Sequence, residues 1–166
     1  MAGEDSNDEH VPIAAFPISV EVNGEPTAVS VEPSQSLMDF LRERGCTGVH
    51  SGCEHGVCGA CTVLMEGQPV RSCIVLAVQA DGCAVETVES LGSEDEPHPL
   101  QVAFSQRSGL QCGFCTPGFL MLANGLLREN PKPDECEIRE ALSSNLCRCT
   151  GYESIVQAVQ DVSCES

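Results

Sequence analysis

Between Phe16 and Val31 apolar side chains fall on alternate positions: Phe16, Ile18, Val20 and Val22, then Val29 and Val31, with Asn23-Gly24 at the centre. A period of two interrupted by Asn-Gly predicts a β-hairpin with one buried face. Leu37, Phe40 and Leu41 then share one face of a short helix capped by Ser36, with Asp39 three residues on and Gly45 at its expected end. Residues 48–60 carry glycine and cysteine without periodicity and are expected as a loop. Residues 62–65 and 69–73, joined by Glu66-Gly67, predict a second hairpin, and residues 84–88 one more strand.

Past an acidic, proline-containing stretch at residues 89–99 the period lengthens to about 3.6. Leu100, Ala103 and Phe104 fall on one helical face, and Phe119, Leu122, Ala123, Leu126 and Leu127 on another. Thr116-Pro117 predicts a cap followed by a first-turn proline. Asp134 with Glu137 and Thr150 with Glu153 both fit the reciprocal capping box, opening helices that bear Ile138, Ala141 and Leu142, and Ile155, Val159 and Val162. The reading is an α+β chain: a flexible acidic tail over residues 1–14, a strand-rich domain over 15–90, a linker over 91–99 and an all-helical domain over 100–166.

Composition narrows what such a chain can do. Twenty-five acidic against eight basic residues give a net charge of −17 over 166 residues, which repels phosphate backbones and anionic lipid, so neither nucleic acid nor a membrane surface is an expected partner. The longest apolar runs, residues 74–78 and 119–123, are far short of the roughly twenty residues that span a bilayer. The first ten residues are acidic where a secretory signal needs a basic start, so a cytoplasmic location is expected. In that compartment twelve cysteines point to metal rather than disulfides.

Cys53, Cys58, Cys61 and Cys73 form C-x4-C-x2-C with a more distant fourth cysteine, the spacing of plant-type [2Fe-2S] sites. Three thiolates come from one loop and the fourth closes the set from another segment. Gly52, Gly56 and Gly59 are expected at positive φ, turning N–H groups toward the sulfurs. A zinc site, which more often pairs two C-x2-C knuckles, fits this spacing less well. Cys112 and Cys115, with Cys147 and Cys149, form a second set ahead of two helices, where N-terminal dipoles favour an anionic group. Spacing alone leaves zinc and iron-sulfur open there. Cys46, Cys83, Cys136 and Cys164 complete no further set and read as ordinary thiols, Cys164 in the tail being the most open to oxidation. His50 and His55 flank the first loop and are expected to pack or face solvent.

The segments GCEHGVCGACTV (residues 52–63), QCGFCTPG (111–118) and NLCRCTGY (145–152) resemble the iron-sulfur small subunit of the molybdenum hydroxylases, the xanthine dehydrogenase and aldehyde oxidase family. The likeness spans about residues 16–162. It implies a plant-ferredoxin-like β-grasp domain followed by a four-helix bundle, each holding one [2Fe-2S] cluster. The outer cluster would sit on Cys53, Cys58, Cys61 and Cys73, and the inner one on Cys112, Cys115, Cys147 and Cys149, which decides the second set for iron. Gln111 would contact a molybdopterin, expected as the cytosine dinucleotide, and the segment LRERGCTG (residues 41–48) is about one residue shorter than the family pattern, which bears on where the helix ends and not on the ligands.

The resemblance further implies an oxidoreductase component that relays single electrons from a large molybdenum-binding subunit to a medium FAD-binding subunit, in a dimer of heterotrimers. The substrate, an aromatic N-heterocycle or an aldehyde, would be hydroxylated in the large subunit. The alternatives are a free ferredoxin-like carrier, for which the helical half would be superfluous, and a zinc-stapled interaction module.

Overall fold

The computed structural model describes residues 14–165. The acidic tail expected over residues 1–14 lies outside them except for Ala14. The first half is a mixed sheet crossed by one helix. Strands β1 (Phe16–Val22) and β2 (Glu25–Val31) form the Asn23-Gly24 hairpin, Phe16 opposite Val31 and Val22 opposite Glu25. Both turn residues take positive φ, 53° and 84°, as a two-residue hairpin turn requires. Helix α1 (Leu37–Glu43) starts where Ser36 Oγ accepts the Asp39 amide, and it buries Leu37, Phe40 and Leu41. Strands β3 (Thr62–Met65), β4 (Gln68–Arg71) and β5 (Ala84–Glu86) complete the order β2-β1-β5-β3-β4, with β1 and β5 parallel.

Two expected strands end early. The second hairpin stops at Arg71, and residues 72–74 form a 3-10 turn that carries Cys73, because Ser72 turns inward to bond the Cys61 carbonyl through both its amide and its hydroxyl. The last strand stops at Glu86. Thr87 is instead buried by the hairpin turn, its amide donating to Asn23 Oδ1 at 2.8 Å, and residues 88–90 again form a 3-10 turn.

The second half is helical: α2 (Pro99–Gln106), α3 (Thr116–Glu129), α4 (Glu135–Leu142) and α5 (Glu153–Glu165). They share one core containing Leu100, Phe104, Phe119, Ile138, Leu142, Ile155 and Val159. The sheet and α1 enclose a separate core of Ile18, Val20, Leu37, Phe40, Leu41, Val63 and Val85. Helix α3 joins the two. Residues 118–125 are buried all round, not on one stripe, because α3 packs against β3 as well as its sister helices, and Gly125 lies against Leu64 and Pro69. Arg128 on α3 reaches across to Glu86 on β5 at 2.6 Å.

The helix starts diverge from their sequence signals in instructive ways. The Asp134/Glu137 box forms in both directions. The Thr150/Glu153 box does not: Thr150 Oγ1 pairs with Cys147 Sγ, and Glu153 turns to Arg139 and Gln157. Thr116 is the first helical residue rather than the cap, and its buried hydroxyl has no partner. At α2 the cap is His98, whose ring accepts the Leu100 amide at 3.2 Å. Cys164 belongs to α5 rather than a tail, and is exposed.

Candidate metal centres

The loop from α1 to β3 wraps the first set of thiols. Glu54, Gly56 and Gly59 take φ of 55°, 74° and 75°, so the backbone folds back on itself. Gly52 is not among the positive-φ residues. It is needed for room, because a Cβ there would lie 3.0 Å from Cys58 Sγ and 3.2 Å from Phe114 Cε1. The amides of Cys58 and His55 donate to Cys53 Sγ at 3.3 and 3.4 Å, and these dipoles hold the Cys53 thiol down at about 6. Burial pushes Cys58 up, with Cys53 adding to the shift, and burial with the neighbouring Cys61 thiol pushes Cys73 up to about 11.

The second set comes from two turns that each lead into a helix: Cys112 and Cys115 ahead of α3, Cys147 and Cys149 ahead of α5. Cys149 Sγ lies 3.6 Å from Cys112 Sγ. Burial opposes ionisation of Cys147, but the hydroxyl and amide of Thr150, at 3.1 and 3.4 Å, together with the Cys149 amide and the Cys115 thiol, outweigh it and bring the thiol below its ordinary value. Cys115 is pushed up to about 12 by burial and then by Cys147. Tyr152, at φ 71°, accepts the Cys147 amide on its hydroxyl at 3.0 Å and meets Phe119 edge-on. Gln111 is exposed, and its Nε2 donates to the Cys149 carbonyl at 3.2 Å, tying the two turns together.

In each set the thiols fall into two pairs: Cys53 with Cys58 and Cys61 with Cys73, Cys112 with Cys149 and Cys115 with Cys147. Among the described residues no three His, Cys, Asp or Glu side chains converge as they would around a single ion. Four thiols arranged as two neighbouring pairs are a donor set that a [2Fe-2S] group would use. The residues present therefore fit a [2Fe-2S] group at both places.

The other thiols stand apart. Cys46 is buried beside Asn23 and its ionisation is suppressed by that burial, while Cys83 is half-buried and Cys136 and Cys164 are exposed.

Sequence reasoning missed how the two sets touch. His50, in the first loop ahead of Cys53, stacks on Phe114 in the second at 4.9 Å, and its Nδ1–H donates to the Phe114 carbonyl at 2.7 Å. The Leu146 amide donates to the Cys58 carbonyl at 2.9 Å, so a chain of covalent bonds and one hydrogen bond runs from Cys58 to Cys147. Asn145 Nδ2 reaches the next carbonyl, that of Gly59, at 3.3 Å. The only cue in the sequence is Asn145-Leu146 abutting Cys147. On the outer side Cys112 and Cys149 are exposed, beside a cavity of about 490 Å³ lined also by Phe114, Leu146, Arg148 and Tyr152. Phe114 and Leu146 expose 47% and 53% of their surface there, an apolar patch of the kind that partners cover.

Comparison with known proteins identifies iron-sulfur domains over both halves of the chain. Residues 20–96 match a 2Fe-2S iron-sulfur cluster binding domain and residues 87–160 a [2Fe-2S] binding domain. The chain is 57% identical to the nicotine 6-hydroxylase small subunit of Paenarthrobacter nicotinovorans, over 87% of each chain. It is 51% identical to the caffeine dehydrogenase subunit gamma of a Pseudomonas species, over 88% of this chain and 90% of that one. Among solved structures, quinoline 2-oxidoreductase from Pseudomonas putida 86 superposes with a TM-score of 0.86 at 51% identity, covering 90% of this chain and 93% of that one.

Proposed function

Because the chain belongs to the small iron-sulfur subunit family of the molybdenum hydroxylases, we propose that it is the electron-transfer subunit of such an oxidoreductase, passing single electrons from a molybdopterin site toward FAD or another acceptor. The observation that supports this reading is that two sets of four thiols sit on loops that are hydrogen-bonded to each other. When bound, each [2Fe-2S] cluster supplies a one-electron store.

The chain's own residues hold those groups and set their surroundings. Cys53, Cys58, Cys61 and Cys73 hold the outer one, and the amides of His55 and Cys58 direct their dipoles at Cys53 sulfur, which stabilises added negative charge. Cys112, Cys115, Cys147 and Cys149 hold the inner one, and Thr150 does the same for Cys147. Gln111, exposed between Cys112 and the Cys149 carbonyl, is placed to meet a molybdopterin presented by a partner, in the cytosine dinucleotide form.

We assign residues 15–90 to a β-grasp domain, 91–99 to the linker and 100–166 to a four-helix bundle, on the support of the two separate cores. The apolar patch around Phe114 and Leu146 suits a large molybdenum-binding subunit, with a medium FAD-binding subunit completing a heterotrimer that pairs into a dimer in the cytoplasm. Among the described residues no helix is long and apolar enough to cross a membrane. The names of the relatives, nicotine, caffeine and quinoline enzymes, favour an aromatic N-heterocycle as the substrate hydroxylated in the large subunit.

Affinity purification of the tagged chain from its host tests this assembly. Two larger chains bearing molybdenum and flavin are expected to accompany it in fixed ratio. A chain that emerges alone, coloured and reducible, is a free carrier and overturns the proposal.

A further inference from the structure

The seam between the two sets of thiols contains a buried polar side chain that local bonding does not require. Asn145 is 1% exposed, and its Oδ1 has no partner. Its Nδ2 donates to the Gly59 carbonyl at 3.3 Å, yet that carbonyl already accepts the Thr62 amide at 3.1 Å and the Thr62 hydroxyl at 2.6 Å. Satisfying Gly59 is therefore not what keeps an amide here, and an apolar side chain of similar volume would avoid the cost of an orphaned buried oxygen. Two glycines are cut back to admit it. A Cβ on Gly59 would run into the Asn145 amide, and one on Gly118 would strike the Gly59 carbonyl and lie 3.1 Å from Asn145 Nδ2.

The neighbouring bond supplies the reason. Asn145 and Leu146 grip two successive carbonyls of the first loop: the side chain takes Gly59, and the Leu146 amide takes Cys58 at 2.9 Å. These carbonyls lie between Cys58 and Cys61, and the gripping residues directly precede Cys147. Resting on the assignment of the eight thiols above, we propose that Asn145 is a positioning residue: it fixes the peptides around Gly59 so that the Cys58 carbonyl meets the Leu146 amide, a backbone hydrogen bond joining a ligand of the first set to the residue preceding a ligand of the second. Other cross-seam bonds, from Arg71 to the Ser144 carbonyl and hydroxyl and from His50 Nδ1 to the Phe114 carbonyl, join the halves without bonding the Cys58 carbonyl.

The test uses the assembled complex carrying Asn145→Asp, which keeps the volume and removes the donor, alongside Asn145→Ala, with Ser144→Ala as the control for simple docking of the two halves. Hydrogen exchange at the Leu146 amide is expected to quicken about tenfold or more in both Asn145 variants and to stay native in Ser144→Ala. In dithionite-reduced samples both cluster signals should keep their native intensity, while the splitting that each imposes on the other is diminished. Native exchange and native splitting in both Asn145 variants overturn the proposal, and so does equal acceleration in Ser144→Ala. Where Asn145→Ala does not assemble, the isosteric Asn145→Asp decides. A native complex that lacks two cluster signals would instead sink the functional reading on which the inference rests.

Discussion

The two thiol sets fit the same kind of group by different means. The first is built into one folding unit: a loop shaped by Gly56 and Gly59 and by Glu54 at positive φ, closed by a 3-10 turn, with Cys61 only 2% exposed in the sheet core. The second is assembled from two turns 35 residues apart in the chain (Cys112 to Cys147), and Cys112 and Cys149 lie open to solvent. Each set nonetheless lowers one thiol with paired donors, Cys53 with two amides and Cys147 with the hydroxyl and amide of Thr150. A self-contained site and an open one, joined at Asn145 and Leu146, suit a chain that must keep one cluster while presenting the other to a partner.

The sharpest break of that comparison is to remove one ligand from each set. Cys58→Ser should abolish one reduced-state EPR signal and Cys115→Ser the other, each removing roughly half the iron and sulfide. If either substitution erased both signals, the sets would not be separate. In the isolated chain, the open second set should release its iron faster under chelator than the first, and the difference should vanish in the complex.

Smaller effects probe the seam against ordinary turns. Gly118→Ala drives a methyl into the Gly59 carbonyl and should cost about 3 kcal/mol, the upper range for overpacking, as measured by chemical denaturation. Gly82→Ala at φ 77° has open space around it and should cost only about 1 kcal/mol, from the backbone alone. Asp134→Ala breaks a capping box remote from both sets and should cost about 1 kcal/mol without altering either EPR signal.

The gentlest comparison is by pH. Burial, then the Arg128 charge, hold the His98 ring below its ordinary 6.5, and it is the neutral ring that caps α2. The unfolded chain therefore takes the proton first, so stability is level above about pH 6.5 and declines as pH falls below it. His98→Asn, which keeps a cap, should flatten that part of the profile. Arg128 holds the Glu86 carboxyl below its usual 4.5 against the opposing effect of burial, so their pairing is complete above that pH and is lost as pH falls through the lowered value. With the guanidinium nearly half exposed, Arg128→Met should cost only about 0.5 kcal/mol at neutral pH.

Much of this molecule could be read from local pattern. The Asn23-Gly24 hairpin, the Ser36 cap and the Asp134/Glu137 box all formed, because each depends on residues within a few positions of one another. The cysteine spacing was equally local in the first loop. What pattern concealed depended on distant partners: Thr150 bonds Cys147 sulfur instead of closing a capping box, and Thr87 leaves its strand to pair with Asn23. Helix α3 is buried beyond its apolar stripe because a sheet lies on its other side. Asn145 was invisible as a joint because its partner, Gly59, is 86 residues away.

The most direct measurement is metal and sulfide content together with EPR of the dithionite-reduced complex. The expected result is about four iron and four inorganic sulfide per chain, with two distinct reduced-state signals of equal integrated spin. Stoichiometric zinc at either set, or one signal with half that iron in fully assembled material, would contradict the assignment of two diiron sites.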